Sequence, residues 1–431
     1  MSKPYKKMKR EELVLLRAQL EKEYREIQAK GIHLDMSRGK PCKEQINLSM
    51  RMMEALPDDP AICINEEGID CRNYGCLSGI IEAKRLLSQM IECPVENIVI
   101  YGNSSLEVMY STLSRAMQHG IMGYTPWVKQ GQIKFLCPVP GYDRHFAMTE
   151  YFGIEMINIP MLPDGPDMDL VEKYVENDPL VKGIWCVPKY ANPTGISYSE
   201  EVVRRFAALE PAAPDFRIFW DNAYSVHHLY PEKERQDFVP EILDECKKAG
   251  HADMVFKFCS TSKVTFPGSG LAAIATSVAN VEDILQQLAV QTIGFDKLNQ
   301  LRHVHFFTDL TSIKEHMMKH ADIIRPKFEI VWRTLEQEIG DLGIAHWTYP
   351  KGGYFISLDT MGGCAKMVVQ KCKEAGVILT EAGATYPYGN DPHDCNIRIA
   401  PTFPSEEELR QACEVLVLCL KIASVEKLLS R

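Results

Sequence analysis

The sequence predicts an α/β protein whose larger part contains a mainly parallel, seven-stranded sheet. From about residue 75 to 280, short apolar runs alternate with segments of helical periodicity. Apolar strands separated by helices indicate a parallel sheet that is covered on both faces. After about residue 300 the chain changes to longer helices and a few strands, which predicts a smaller α+β domain. We expect residues 51–305 to form the large domain and residues 306–431 the small one, which the N-terminal segment 1–50 joins.

Composition excludes several classes of protein. With 45% hydrophobic and 25% charged residues, the 431-residue chain is typical of a soluble globular protein. A net charge of -10 argues against a nucleic-acid partner, which would need a basic face. The 14 cysteines show neither a CxxC pair nor metal-ligand spacing, which is typical of small buried side chains in a reducing cytosol. The same lack of metal-ligand spacing predicts that the protein has no metal site. No apolar run is long enough to span a bilayer, so we also expect a cytoplasmic protein with no membrane partner.

The elements can be predicted in chain order. Apolar residues at helical spacing predict an amphipathic helix over about residues 9–30, and a strand-like piece over residues 32–41 follows. The seven strands of the α/β part are predicted at Asn97–Tyr101, Lys134–Cys137, Ile154–Asn158, Gly183–Val187, Phe216–Trp220, Val255–Phe258 and Leu271–Ala275. The later part adds strands at Gly353–Leu358 and Asn396–Ile399, and a capping box at Ser405 opens the last helix.

The stretch with the strongest chemical character ends the strand at Val255–Phe258. Three hydroxyl residues, Ser260, Thr261 and Ser262, are followed by Lys263. Hydroxyls at the end of a strand can hold a phosphate, and a lysine among apolar strands loses its proton readily and becomes a nucleophile. The alternative is a surface lysine after an edge strand. Ligands of parallel sheets gather at the carboxyl ends of the strands. Polar groups at the other strand ends would therefore favour the nucleophilic lysine over the surface lysine.

Polar groups follow three other predicted strands. Ser104 and Ser105 lie between a strand and a helix, where they suit an anion, although a simple helix cap is the alternative. Tyr142 lies on a Pro-Gly turn and can stack on a flat ring. Asn192 is fixed by the proline that follows it, which makes it a rigid hydrogen-bonding group unless it only forms a turn.

Two charged residues lie in or directly after apolar strands. Asp221 follows the strand at Phe216–Trp220, and a carboxylate there is costly unless it meets a partner such as a protonated aromatic nitrogen. Arg398 is flanked by apolar residues inside a strand, and a carboxylate is its natural fork-shaped partner. Both residues therefore predict a binding site rather than a solvated surface.

Taken in order, these motifs resemble the class I (fold-type I) aminotransferases that use pyridoxal phosphate (PLP). The resemblance covers nearly the whole chain and runs through Gly39, Tyr74, Ser104, Ser105, Tyr142, Asn192, Asp221, Tyr224, Ser260, Ser262, Lys263 and Arg398. The Met36–Pro41 and Trp220–His228 stretches are most similar to the divergent type Ic bacterial aspartate aminotransferases.

The resemblance implies a role for each residue around the cofactor ring. Lys263 would hold PLP as a Schiff base and move the proton between the substrate's α-carbon and the cofactor. Asp221 would pair with the pyridine nitrogen and keep it protonated. Tyr224 and Asn192 would hydrogen-bond the phenolic oxygen, and Tyr142 would stack on the ring face.

The remaining roles concern the phosphate and the substrate. Ser104, Ser105, Ser260 and Ser262 would hold the phosphate, and Tyr74 would reach the phosphate of a neighbouring subunit, which implies a homodimer with shared active sites. Arg398 would bind the α-carboxylate of the amino acid or 2-oxo acid, helped by Asn192 and the backbone of Gly39. One departure is Gly270, which stands where the family usually has a phosphate-binding arginine.

The predicted reaction converts L-aspartate and 2-oxoglutarate to oxaloacetate and L-glutamate. A buried distal carboxylate needs a second cation. Ser37 and Arg38 precede Gly39, and Arg38, expected in an otherwise apolar strand, is the candidate clamp unless it only pairs with a surface acid. Lys129, Arg144 and Arg302 are the alternatives for this clamp.

Other functions fit parts of the sequence. An aminotransferase for aromatic amino acids or alanine, or a PLP-dependent C–S lyase, would use the same lysine, aspartate and arginine. Gly268–Ala273 matches a dinucleotide-binding pattern, but the residues after it predict a strand where that pattern requires a helix. Some transcription regulators have this fold behind a DNA-binding domain, and the acidic chain with only a short preceding segment argues against that class.

Overall fold

The computed structural model describes residues 3–430. The helices are α1 Arg10–Gln28, α2 Lys43–Asn47, α3 Ile81–Ile91, α4 Ser105–His119, α5 Asp143–Tyr151, α6 Met168–Asn177, α7 Glu200–Ala207, α8 Ile242–Ala249, α9 Val278–Gln291, α10 Lys297–Phe306, α11 Leu310–Ile339, α12 Ala365–Glu374 and α13 Glu406–Leu429. The strands are β1 Leu34–Asp35, β2 Ile98–Ile100, β3 Lys134–Val139, β4 Glu155–Leu162, β5 Gly165–Pro166, β6 Val181–Cys186, β7 Arg217–Asp221, β8 Val255–Ser260, β9 Ala272–Ala275, β10 Ala345–Trp347, β11 Ile356–Thr360, β12 Val377–Ile378 and β13 Asn396–Ile399.

The large sheet confirms the predicted α/β class. Its strand order is β2-β9-β8-β7-β6-β3-β4-β5, and the five neighbouring strands from β8 to β4 are parallel. It has eight strands where seven were predicted, because β5 pairs antiparallel with the end of β4. This strand is only a Gly-Pro dipeptide, and neither residue has the composition of a strand. All seven predicted strands are present.

Helices cover both faces of this sheet, as buried parallel strands require. Successive residues of β2 point to opposite faces, so that Ile98 and Ile100 pack with α3 while Val99 packs with α4. Both layers are apolar. The ends of the strands are consequently the places where polar side chains can face a ligand without disturbing the core.

The later part of the chain forms a separate antiparallel sheet in the order β10-β11-β13, which shares a hydrophobic core with α11, α12 and α13. The helix α1 packs on α13, and β1 pairs in parallel with β12. Ser405 caps α13 together with Glu408, as predicted. These contacts support the predicted division into residues 51–305 and residues 1–50 with 306–431, which stays a prediction.

The predicted strand over residues 32–41 is wrong beyond Asp35. Only Leu34 and Asp35 are paired, and Arg38 lies in an irregular, exposed stretch. The Asp35 carboxylate accepts hydrogen bonds from the Ser37 N–H and hydroxyl, which takes the Ser37 backbone donor away from a strand ladder. Elsewhere, none of the helices in residues 3–430 has the length and apolar character needed to cross a membrane.

Candidate active site

A cavity of about 670 Å³ lies at the carboxyl ends of the parallel strands. Asp221 ends β7, Ser260 ends β8, and Tyr142 and Asn192 follow β3 and β6. The cavity is lined by all but one of the predicted site residues, namely Ser37, Arg38, Gly39, Ser104, Ser105, Tyr142, Asn192, Asp221, Tyr224, Ser260, Ser262, Lys263 and Arg398. Residues more than 300 positions apart in sequence, such as Ser37 and Arg398, are thereby brought together.

Lys263 lies on the wall of this cavity, just past β8. Its Nζ is 5.0 Å from the ring centre of Tyr224 and 6.0 Å from that of Tyr354. Burial lowers the pKa of the Lys263 ammonium below its ordinary value, and the Asp221 carboxylate opposes this effect. A lysine with a lowered pKa holds more of its population as the neutral, nucleophilic amine.

The segment around Lys263 is held from behind by two histidines. His303 Nε2 lies 3.0 Å from the Thr261 hydroxyl and 3.1 Å from that of Thr265, and His303 Nδ1 lies 2.8 Å from the carbonyl of Asn299. Because a carbonyl can only accept, Nδ1 carries the proton and Nε2 is left as an acceptor for a hydroxyl proton. His316 Nε2 lies 2.9 Å from the Val264 carbonyl. Thr261 therefore supports the loop and is not a phosphate ligand.

Asp221 is 3% exposed, and its two oxygens differ. Oδ2 lies 3.1 Å from His145 Nε2, and the His145 ring stacks on Trp185 with a centroid distance of 4.3 Å. Oδ1 is buried and has no hydrogen-bond partner among the described residues. A buried carboxylate oxygen without a donor is costly, so this atom is the natural partner of a protonated ring nitrogen.

Tyr142, Asn192 and Tyr224 surround the space in front of Asp221. Burial raises the pKa of Tyr224 well above its ordinary value, so its hydroxyl remains protonated and can donate a hydrogen bond. Burial likewise raises the pKa of Tyr142. Asn192 is buried with its side-chain oxygen 3.4 Å from Arg398 Nη1. The three side chains provide a stacking face and donors for an oxygen on a flat ring.

The predicted phosphate ligands meet at the start of α4. Ser104 is the N-cap residue of this helix, but its side chain makes no capping hydrogen bond, so its hydroxyl remains available. Ser260 donates to Ser262 over 3.1 Å, and Ser262 donates to the Asn103 carbonyl over 2.9 Å. Hydroxyls at a helix N-terminus form a suitable site for an anion. Gly270 packs against this loop, where an added Cβ would lie 3.1 Å from the Asn103 carbonyl oxygen.

Arg398, in β13, meets two acceptors through one nitrogen. Its Nη1 lies 2.7 Å from Asp143 Oδ1 and 3.4 Å from Asn192 Oδ1. The guanidinium lies over the Phe355 ring, with Cζ 5.0 Å from the ring centre. Arg398 is 6% exposed, so a carboxylate that binds it is largely removed from water.

The predicted clamp residues differ in position. Arg38 and Arg144 both line the cavity, are exposed, and form no ion pair with any described residue. Lys129 and Arg302 are not among the described residues that line it, and Arg302 donates to Ser269 and Asn299 instead. Tyr74 is 79% exposed and lies outside the cavity of its own chain.

Sequence reasoning missed His145, Asp143 and Phe355. His145 lies three residues after Tyr142 on α5, so the helical period places both on the same side. That spacing could have identified His145. Asp143 and Phe355 are recognisable only through their contacts with Arg398, which come from distant parts of the chain.

The side chains of this cavity are of the kinds that PLP requires. The unpartnered Oδ1 of Asp221 suits the ring nitrogen, the free hydroxyl of Ser104 suits the phosphate, and Lys263 lines the same cavity. The dinucleotide alternative does not fit, because the single 3-10 turn at Pro267–Ser269 leads into strand β9 and not into an α-helix. The predicted strand at that position is confirmed.

Comparison with known proteins identifies the family. The sequence profile of a family described as aspartate amino-transferase matches residues 8–431. An aspartate aminotransferase of Corynebacterium glutamicum is 41% identical over 420 residues, which make up 96% of this chain and 95% of that protein. The crystal structure of an aspartate transaminase from the same species is 40% identical, with a TM-score of 0.95 over 99% of this chain and 100% of that one.

A more distant structure shows the fold alone. The α-aminoadipate aminotransferase of Thermus thermophilus, complexed with N-(5'-phosphopyridoxyl)-L-leucine, is 19% identical, with a TM-score of 0.72 over 94% of this chain and 95% of that one. Together, the profile, the relatives and the cavity confirm the predicted class of enzyme and its cofactor. The chain belongs to the aspartate aminotransferase family, and it is a fold-type I aminotransferase of the divergent bacterial type that uses PLP.

Proposed function

We propose that the enzyme exchanges L-aspartate and 2-oxoglutarate for oxaloacetate and L-glutamate. The observation that carries this proposal is the charge of the cavity: besides Arg398, it is lined by Arg38 and Arg144, neither of which has an ion-pair partner among the described residues. A dicarboxylic substrate needs one cation for each carboxylate. The relative and the solved structure from Corynebacterium glutamicum are both named for aspartate, which supports the same substrate.

We also assign roles to the cavity residues. PLP, when bound, supplies a conjugated ring that accepts electrons from the substrate's α-carbon. With PLP bound, the Nζ of Lys263 would take up the proton of that carbon and later release it, a role for which its lowered pKa is suited. Asp221 would hold a proton on the ring nitrogen through its unpartnered Oδ1, while His145 fixes the other oxygen of this carboxylate.

The other residues bind and orient. Tyr142 would stack on the ring, Tyr224 and Asn192 would hold its phenolic oxygen, and Arg398 would bind the α-carboxylate beside Gly39. All five of these residues line the cavity. The proposed phosphate ligands, which all line the cavity, are Ser104, Ser105, Ser260 and Ser262. Ser37 lines the substrate side with Arg38. Gly270 leaves the phosphate without the usual arginine, so hydroxyls and the α4 N-terminus carry that site.

We further propose a cytoplasmic homodimer. The exposed ring of Tyr74 lies outside its own chain's cavity, which suits a residue that contacts the phosphate in the partner subunit. Most of the 14 cysteines are buried among apolar side chains, which is typical of a protein from a reducing compartment.

The test compares Arg38→Ala and Arg144→Ala in the PLP-loaded enzyme, with aspartate, glutamate and alanine as amino donors. Loss of the clamp should lower kcat/KM for the two acidic donors on the order of 10²-fold, because a buried carboxylate loses its ion-pair partner. Alanine should be affected little. Arg51→Ala is the matched control, since Arg51 is exposed and does not line the cavity.

The outcomes separate the alternatives. If Arg38→Ala alone shows the selective loss, Arg38 is the clamp, and if only Arg144→Ala shows it, Arg144 is. A wild-type enzyme that prefers aromatic donors or alanine would overturn the aspartate proposal. Release of a sulfur leaving group from cysteine-derived substrates, in place of amino transfer, would overturn the transamination itself in favour of a C–S lyase.

A further inference from the structure

A carboxylate of the protein, that of Asp143, contacts Arg398 at one of its two terminal nitrogens, Nη1. Nη1 lies 2.7 Å from Asp143 Oδ1 and 3.4 Å from Asn192 Oδ1, so this one nitrogen donates to two acceptors of the protein. Nε is buried without a partner among the described residues. A guanidinium binds a carboxylate best through two parallel N–H groups. A substrate carboxylate that uses Nη1 must therefore take it from Asp143.

The two partners are not equally mobile. The Arg398 side chain is 7% exposed, lies over the Phe355 ring and belongs to the central residues of β13. The Asp143 side chain is 32% exposed and belongs to the first turn of α5. A carboxylate in the first turn of a helix is stabilised by the helix dipole even without an ion pair. Asp143 can therefore swing towards solvent at a modest cost, while Arg398 stays in place.

We propose that Asp143 competes with the substrate's α-carboxylate for Nη1 of Arg398 and thereby sets how tightly the site binds any carboxylate. The Asp143 charge neutralises Arg398 when no amino acid is bound, so that a lone carboxylate gains little from the site. An amino acid that also engages the cofactor and the rest of the cavity displaces Asp143. This inference rests on the proposed role of Arg398 and does not depend on which side chain the enzyme prefers.

A different role for Asp143 would change KM in the opposite direction when Asp143 is replaced. If Asp143 only held Arg398 in the right orientation, its removal would loosen the guanidinium and raise KM. If it competes, its removal raises the positive charge available to the substrate and lowers KM. The change applies equally to bound substrate and transition state, so kcat should move much less than KM.

The test is Asp143→Asn in the PLP-loaded enzyme. KM for aspartate and for alanine should fall by the same factor, about tenfold, the change in affinity that corresponds to one charge-assisted hydrogen bond. The inhibition constant of acetate, a lone carboxylate, should fall by a similar factor. Asp143→Ser, which retains a residue favoured at helix starts, should give the same result if the asparagine variant does not fold.

A matched control and a second background complete the design. Asp169→Asn also removes an aspartate–arginine pair from the first turn of a helix, since Asp169 lies 2.6 Å from Arg205 at an exposed site, and it should leave KM unchanged. In an Arg398→Gln background, Asp143→Asn should have no further effect on KM. An unchanged or raised KM in Asp143→Asn would overturn the competition, with the role of Arg398 intact if Arg398→Gln raises KM. An Arg398→Gln enzyme with normal KM would overturn both.

Discussion

The two sides of the cavity differ in how firmly their side chains are held. On the cofactor side, Asp221 is buried, bonded by His145, and braced by the stacking of that histidine on Trp185. On the substrate side, Arg38 and Arg144 are exposed and have no ion pair with a described residue. The first set is fixed before any ligand binds, whereas the second can adjust its position.

This difference follows from where the residues lie in the fold. Cofactor-side residues end central strands of the large sheet, where packing on both faces leaves one conformation for the backbone. Substrate-side residues lie in an irregular segment and at the start of a helix, where few neighbours restrict them. Chemistry that is the same for every substrate thus depends on the rigid side, and discrimination between substrates depends on the adjustable side. Three variants test this contrast.

The largest effect is expected from Asp221→Asn on the rigid side. The amide retains the shape and a hydrogen bond to His145, but it loses the charge that keeps the ring nitrogen protonated. We expect kcat to fall on the order of 10³-fold, the cost of removing a preorganised electrostatic partner. Single-turnover transfer from aspartate, followed by the absorbance of the cofactor, measures this loss.

The fold should remain intact in that variant, because asparagine fills the same space. Thermal unfolding of the cofactor-free protein checks this point. A variant that keeps more than a tenth of wild-type activity would show that Oδ1 of Asp221 does not serve the ring nitrogen. Loss of the fold would instead identify Asp221 as a structural residue.

The rigid side is also the side that the sequence predicts best. Ser260, Lys263 and Asp221 could be assigned because each follows a short apolar run, and a parallel sheet places the ends of such runs at one edge. His145 was missed although its spacing from Tyr142 fits a helix. Asp143, Phe355 and the irregular path of Arg38 could not be predicted, since they depend on contacts between segments that are remote in sequence.

A second variant tests the support behind Lys263. Burial lowers the pKa of His303 to about 4, so the unfolded chain takes up a proton before the folded one as the pH falls from about 6.5. The contribution of His303 to stability is complete above pH 6.5 and is lost towards pH 4. Between pH 7 and pH 5 the loss amounts to about 2 kcal/mol in the free energy of unfolding.

In His303→Gln, the decline in unfolding free energy between pH 7 and pH 5 should be smaller than in the wild type by that amount. Urea unfolding at both pH values measures it. His33→Gln is the control, because His33 is exposed, and it should retain the full decline. An equal decline in wild type and His303→Gln would mean that His303 has the same pKa in the folded and the unfolded protein, so that burial does not lower it. His320, whose pKa burial lowers to about 3, acts in the same direction.

The smallest effect is expected from Gly39→Ala on the adjustable side. An added Cβ would lie 2.3 Å from Cζ and 2.5 Å from Cε1 of Phe355, whose ring also supports the Arg398 guanidinium. The segment that carries Arg38 lies partly exposed and must move away by about 1 Å, since contacts under about 3.5 Å are repulsive. We expect a rise in KM of about fivefold, a kcat within about twofold of wild type, and little change in stability because a surface segment absorbs the shift.

Gly268→Ala is the matched control, because a Cβ there meets no atom within 4 Å. Phe355→Leu in the Gly39→Ala background should relieve the clash and recover part of the loss in KM. A large fall in kcat with unchanged KM would show that this segment is fixed as firmly as the cofactor side, and the contrast between the two sides would then be wrong.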